Sequence, residues 1–280
     1  MNEKAVMNEK TVMNGKTVLI TGASAGIGRL IAERLARRKA HILLVGRDML
    51  ALHETRAVIV AAGGSAEVLV ADLLEASGRE TLVAACNALP EGLYGLINNA
   101  GCSHFALLDD QTETMLQNQI QLNLLVPVLL TRALLPILKK QREARVLNIG
   151  STFGSIGYPG YTAYCASKFG LRGFTEALRR ELADTDMRIL YFAPRATATQ
   201  MNSDTVVKMN HELGNKMDAA DDVAMKAETI FLAGYPNNFY MGSPENIFAR
   251  INQIFPSIVG NALKKQLAVI KRYATTQQGT

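Results

Sequence analysis

Cysteine is scarce in this chain, and its pattern excludes two classes of protein. Cys86, Cys102 and Cys165 are an odd number with no metal-like spacing, so neither a disulfide framework nor a zinc or iron centre is expected to organise the fold. Free thiols in a reducing, cytoplasmic compartment are the expectation. Charge is modest too: charged residues make up 20% of the 280 and apolar residues 48%, which excludes disorder as the main state. Nor is there an unbroken apolar run. The longest, residues 120–138, is interrupted by Gln121, Asn123, Pro127, Arg132 and Pro136, which makes a poor membrane span and a good buried or interface helix. No secretory leader pattern opens the chain. A six-residue unit repeats there instead, beginning at Met1, Met7 and Met13; residues 1–12 read as a disordered tail, with the start of translation open among the three methionines.

The net charge of +5 is gathered at the other end. Residues 244–280 hold Arg250, Lys264, Lys265, Lys271 and Arg272 against Glu245 alone, a balance of +4, and the rest of the chain is close to neutral at about +1. No nucleic-acid partner is expected. The basic segment reads as two helices, 246–255 and 261–274, separated by Pro256, and in the second Leu263, Leu267, Ile270 and Ala274 form an apolar stripe. Two readings stay open. One is a helical pair packed on the main domain or on a sister subunit; the other is an interfacial dock for an anionic membrane surface or an acidic carrier protein.

Between these ends, short aliphatic or β-branched runs alternate with longer helical stretches. Strands are predicted at 16–21, 41–45, 66–71, 94–97, 145–149, 187–193 and 238–241, and helices from Gly26 onward, at 48–62, 75–88, 112–140 and 161–183. Continuous apolar strands separated by helices imply a parallel sheet covered on both faces, and right-handed crossovers make it doubly wound. The expected fold is therefore a Rossmann-type α/β domain of about seven strands over 13–243, followed by a basic amphipathic helical extension over 244–280.

Two side chains stand out chemically. Tyr164 and Lys168 are one helical turn apart, which puts a phenol and an ammonium on the same face. A cation beside a phenol stabilises its anion and lowers a pKa that is ordinarily about 10. Ser151, at the end of the preceding strand, offers a hydroxyl to steady a carbonyl or alcohol oxygen as it gains or loses a proton.

A glycine-rich turn lies between the first strand and its helix, with Gly22, Gly26 and Gly28 in the spacing G-x-x-x-G-x-G. Such a turn lets the backbone approach a ligand, and the helix N-terminus presents unpaired N–H groups to a pyrophosphate. The second strand ends at Val45, Gly46 and Arg47, without the carboxylate that would bind a ribose 2′-hydroxyl. A guanidinium there suits a 2′-phosphate, so NADPH/NADP+ is expected over NADH; a solvated arginine is the plainer reading.

In order and spacing, Thr21 to Gly28, Asn98 to Gly101, Asn123, Ser151, Tyr164 and Lys168 resemble the short-chain dehydrogenase/reductase family over about residues 14–243. The resemblance implies that Tyr164 is the general acid or base, that Lys168 lowers its pKa and holds the nicotinamide ribose, that Ser151 positions the substrate oxygen and that Asn123 supports a water-linked proton relay. It also implies cofactor contacts from Ser24, Ile27, Asp72, Asn99, Ala100, Gly101 and Pro194, with Asp72 at the adenine edge or, equally, capping a helix. The chain departs from the family at Ala25, where NADPH users often carry a basic residue, and at Arg195, which follows Pro194 in place of glycine. Arg195 has three readings: a cofactor phosphate, an acidic substrate, or solvent.

Residues 195–220 are expected to form a substrate lid. Met201, Met209 and Met217 lie there, suited to an irregular apolar ligand or to the chain's own core, and His211 has no partner that sequence can name. Cys102 and Cys165 are expected to be packing residues. The function expected is NADPH-dependent reduction of a lipophilic or β-keto acyl ketone by a homodimer or homotetramer assembled through the 120–138 and Tyr164 helices. Oxidation of an alcohol and a dinucleotide-sensing scaffold are the alternatives.

Overall fold

The computed structural model describes residues 12–276, with the side chains of 243–246 and 276 outside that description. The expected N-terminal tail lies outside it except for Val12. Met13, immediately after, is buried in the core. The chain then alternates strand and helix: β1 (Thr17–Thr21), α1 (Gly26–Arg37), β2 (His41–Gly46), α2 (Met49–Ala61), β3 (Ser65–Val70), α3 (Ala76–Asn87) and β4 (Gly95–Asn98). After these come α4 (Glu113–Ile120), α5 (Val126–Leu138), β5 (Arg145–Ile149), α6 (Thr162–Glu181) and β6 (Arg188–Ala193). Two-residue strands β7 (Thr197–Ala198) and β8 (Asp218–Ala219) flank α7 (Asp204–Glu212), and α8 (Ala220–Ala233), β9 (Asn238–Tyr240), α9 (Ser243–Ile254) and α10 (Pro256–Thr276) complete it.

Seven strands form one parallel sheet in the order β3-β2-β1-β4-β5-β6-β9. Every residue of β1, β4 and β5 is buried, as a sheet covered on both faces requires. The period of two sorts their side chains. Val18 and Ile20 join a core with Ile31, Leu35 and Phe231 of α1 and α8, while Leu19 joins one with Leu82, Leu130 and Leu178 of α3, α5 and α6. The sheet order reverses direction at β1, which pairs with β2 on one side and β4 on the other. Loops leaving the carboxyl ends of β1 and β4 diverge there, and this is where open α/β sheets hold their ligands.

Two helical expectations need correction. The stretch over 112–140 is not one regular helix: a π turn, Gln121–Leu125, separates α4 from α5. Pro127 is the reason, since it lacks the N–H that would bond to the Asn123 carbonyl and its ring crowds that oxygen. This helical stretch, Glu113–Leu138, is also the one that is long and apolar enough to cross a membrane among the described residues. Here its Val126, Leu130, Leu134 and Leu138 pack in the core beneath the sheet. At the C-terminus, Pro256 does not space two helices but starts the second, because a proline fits the first turn, where no intrahelical donor is needed.

Candidate active site

A cleft of about 700 Å³ opens at the divergence of the β1 and β4 loops. Gly22, Ser24, Gly26 and Ile27 from the first loop line one end, beside Arg47 and Asp72 from the ends of β2 and β3. Asn99, Ala100 and Gly101 form its back wall, and Ser151, Tyr164, Lys168 and Pro194 line the other end. Two expected residues are not on its surface. Gly28 sits behind the turn, and Asn123 is fully buried.

The glycine turn is held from behind. The Asn99 amide donates to the Thr21 carbonyl at 3.0 Å and the Gly22 carbonyl at 3.2 Å, while the Thr21 hydroxyl accepts from the N–H groups of Asn99 and Ala100, both at 3.0 Å. Gly22 adopts φ +67°, and a Cβ on Gly28 would stand 2.2 Å from the Gly22 oxygen, so no larger residue fits that packing. The first intrahelical donor of α1 is Arg29, to the Ala25 carbonyl at 3.3 Å, and no side chain caps the helix. With no acidic residue in the first turn, the N–H groups ahead of it form an anion-binding end. The residues present therefore fit a dinucleotide pyrophosphate. Arg47 is 71% exposed and meets the Asp72 carboxylate at 3.8 Å, a contact weak enough to leave its guanidinium free to reorient. Asp72 does not cap α3; its side chain accepts from Leu74 N–H at 3.0 Å in a local turn.

The catalytic end is built on α6 and β5. A buried ladder sets their register: Asn98 donates to Asn148 at 2.8 Å, and Asn148 donates to the Thr175 hydroxyl at 2.8 Å. Ser151 ends the strand and accepts from Phe153 N–H at 3.1 Å, starting a short turn. Its side chain and that of Tyr164 both line the cleft. Burial pushes the Tyr164 hydroxyl up to about 12, with the Ser151 hydroxyl acting in the opposite sense. This differs from the expectation that Lys168 would lower it. The lysine is itself buried, which pulls its ammonium down to about 8, and it donates to the Ile149 carbonyl at 3.0 Å. Desolvation thus outweighs the attraction between the two groups. Asn123, in the π turn, accepts from Cys102 N–H and donates to the Cys102 carbonyl, both at 2.8 Å, and bonds Ser167 at 3.1 Å. It fixes the loop after β4 against α6.

Several residues of the site have no sequence signature. Tyr191, fully buried on β6, holds its hydroxyl 3.4 Å from both backbone groups of Ser151. Arg195, expected at a cofactor phosphate, at an acidic substrate or in solvent, lines the cleft and has an ion-pair partner in the chain itself. Its guanidinium pairs with both oxygens of Asp218, at 2.8 and 2.7 Å, and so ties the end of β6 to the foot of the lid. Between them the lid carries Met201 and Met209 into the cleft wall, while Met217 is half-buried and His211 exposed. Phe153, Tyr158 and Tyr161 form the wall beside Tyr164, with Phe153 and Tyr158 stacked at 4.8 Å. The extension closes that wall. Ile270 and Ala274 pack against Val206 and Met209, Arg272 pairs with Glu212 of α7, and Leu263 faces the cleft. The apolar stripe of α10 therefore covers the chain's own lid.

Comparison with known proteins agrees with this geometry. The family model for short chain dehydrogenase matches residues 16–210. The chain is similar to the Ketoacyl reductase HetN of Nostoc sp., 36% identical over 190 residues that span 68% of this chain and 66% of that relative. It is 34% identical to the 3-oxoacyl-[acyl-carrier-protein] reductase of Bos taurus over 78% of this chain and 90% of the relative. Among solved structures, a short chain dehydrogenase from Burkholderia cenocepacia in complex with NADP superposes with a TM-score of 0.75 at 26% identity, covering 84% of this chain and 99% of that one.

Proposed function

The chain belongs to the short chain dehydrogenase family as an NAD(P)-dependent oxidoreductase, and from that premise we propose that it reduces a lipophilic ketone or β-keto acyl group to a secondary alcohol with NADPH. The observation that carries the reading is that Ser151, Tyr164 and Lys168 line one end of a single cleft whose substrate end is aromatic and aliphatic. NADPH, when bound, supplies hydride. Gly22, Gly26 and the first turn of α1 would hold its pyrophosphate, Arg47 its 2′-phosphate, and Lys168 its nicotinamide ribose. Ser151 steadies the substrate oxygen and Tyr164 gives it a proton. A phenol pushed up to about 12 holds its proton at neutral pH, so Tyr164 starts the reductive half-cycle as the acid. Asn123 acts through the backbone it holds, as a positioning residue. Proton-donor, proton-tuning and ribose-holding groups all present in one cleft weigh against a sensor that does no chemistry.

The wall of Phe153, Tyr158, Tyr161, Val206 and Met209 supports an apolar substrate, and the named activities of the Nostoc and bovine relatives support a keto acyl one. We further propose a homodimer, or a tetramer built from it, through the outer faces of the π turn, α5 and α6, where Leu125 and Phe169 are 46% and 42% exposed. A monomeric mass in solution would reject it. The test of function is NADPH oxidation by the purified protein across ketones of increasing chain length, with Tyr164→Phe in parallel. Turnover should rise with chain length and fall by about 10²–10⁴-fold in the variant. Turnover that is indifferent to Tyr164 would refute the reading.

A further inference from the structure

The elbow between α9 and α10 carries an apolar surface left exposed among the described residues. Ile247, Phe248, Ile254, Phe255 and Ile258 are each between 50% and 69% exposed. Large exposed apolar side chains recurring along the end of α9 and the start of α10 are unusual on a soluble surface and mark an interaction site. The same two helices are one-sided in charge: they hold one acidic residue, Glu245, against the cations Arg250, Lys264, Lys265, Lys271 and Arg272. Arg250, Lys264 and Lys265 are exposed, the two lysines within two turns of Ile258. The elbow is also continuous with the active-site cleft. Phe248 and Ile258 contribute to its lining as well as to the exposed surface, and Val259 and Leu263 line it from the adjoining turns of α10.

We propose that this elbow docks on an anionic lipid bilayer, with Ile254 and Phe255 entering the interfacial region and Arg250, Lys264 and Lys265 facing the headgroups. Amphipathic helices bind membranes by this combination of buried apolar area and attraction to anionic lipid. Docked so, the cleft mouth opens beside the hydrocarbon, and an apolar ketone dissolved in the bilayer reaches the cleft without crossing water. Two other occupants fit less well. A second copy meeting this surface about a two-fold axis would bring identical cations against each other. An acidic carrier protein would satisfy the lysines but leave the apolar tip with no matching surface.

The test is flotation of the full-length protein with vesicles of phosphatidylcholine alone or containing about one third phosphatidylglycerol, at about 50 mM and about 500 mM salt. Binding should require the anionic lipid and weaken at high salt. Ile254→Ser with Phe255→Ser should reduce partitioning by about tenfold or more, and Lys264→Glu with Lys265→Glu should remove the preference for anionic vesicles. Neither pair lines the cleft, so thermal melting and NADPH binding of each variant show whether it is folded. Three outcomes overturn the proposal: no flotation with either vesicle, flotation unchanged by the Ile254 and Phe255 substitutions, or those substitutions changing only the mass of the protein in solution, which would assign the surface to a second copy. Vesicle binding needs neither cofactor nor turnover, so its failure and that of the reductase reading are told apart.

Discussion

Lys168 Nζ lies 5.7 Å from the centre of the Tyr164 ring and donates to the Ile149 carbonyl at 3.0 Å. The ammonium stands over the ring, anchored to the end of β5, and burial rather than this cation dominates the affinity of Tyr164 for its proton. The acid form of the phenol is thereby kept and the charged form of the lysine weakened.

A pH profile follows from that division. Tyr164, raised to about 12, remains protonated throughout the range in which enzymes are assayed, so it imposes no alkaline limit on reduction. Lys168, lowered to about 8, does lose its charge within that range. kcat/KM for NADPH reports groups of the free protein and should be level from about pH 6 to 7, fall to half near 8 and decline further above that. Initial-rate measurements at saturating ketone check it; a decline beginning only above about pH 10 would show that Lys168 keeps its proton.

Stability should respond to the same lysine in the opposite sense. Its ammonium ordinarily titrates at 10.5 and here at about 8, so between those values the unfolded chain binds more protons and stability rises with pH. Below about 8 the whole cost of burying the charge is present, on the order of 3 kcal/mol for such a shift. Loss of its bond to Ile149 costs a comparable amount, about 1.5–3 kcal/mol for a charged donor. Lys168→Met should therefore melt at pH 7 no lower than the parent while losing activity, and its relative stability should fall as pH approaches 10.5. Paired melting curves at the two pH values decide it, and a large fall in Tm at pH 7 would contradict the burial argument.

Arg47 should govern the choice of dinucleotide. Its contact with Asp72 is long and exposed, so turning toward a 2′-phosphate forfeits little. A charge-assisted hydrogen bond contributes about 1.5–3 kcal/mol, or roughly 10- to 100-fold in affinity. Arg47→Ala should raise KM for NADPH by about that factor and leave KM for NADH almost unchanged. Equal effects on both cofactors would place the guanidinium elsewhere.

How much of this was legible in the sequence depends on the range of the interaction. Strands such as β1, β2 and β6 announced themselves because near-continuous burial leaves an almost unbroken apolar run. Tyr164 and Lys168 were legible as a pair because one helical turn fixes their common face. Their electrostatics were not, since burial comes from walls contributed by distant segments. The π turn carried a local signal, Pro127, but reading it required knowing that the helix continued past it. β7 and β8 are two residues each, too short to show any period. The pairing of Arg195 with Asp218 was not legible, because it depends on β7 and β8 bringing two segments 23 residues apart together.

That pairing is the last test. Arg195 and Asp218 have side chains 18% and 8% exposed and meet through two hydrogen bonds, so neither charge is well solvated. Removing one partner of so buried a pair costs about 3–5 kcal/mol, whereas replacing both with apolar residues of similar size is often neutral. Asp218→Ala should therefore lower Tm by roughly 6 °C or more, and Arg195→Met with Asp218→Leu should restore most of the loss. The pair also anchors the segment that brings Thr199 and Met201 to the cleft. In Asp218→Ala the KM values for ketone and NADPH should rise together while kcat at saturation changes little, since neither residue touches Tyr164. A loss confined to kcat would mean that Arg195 acts on the reacting atoms and that the clasp is secondary.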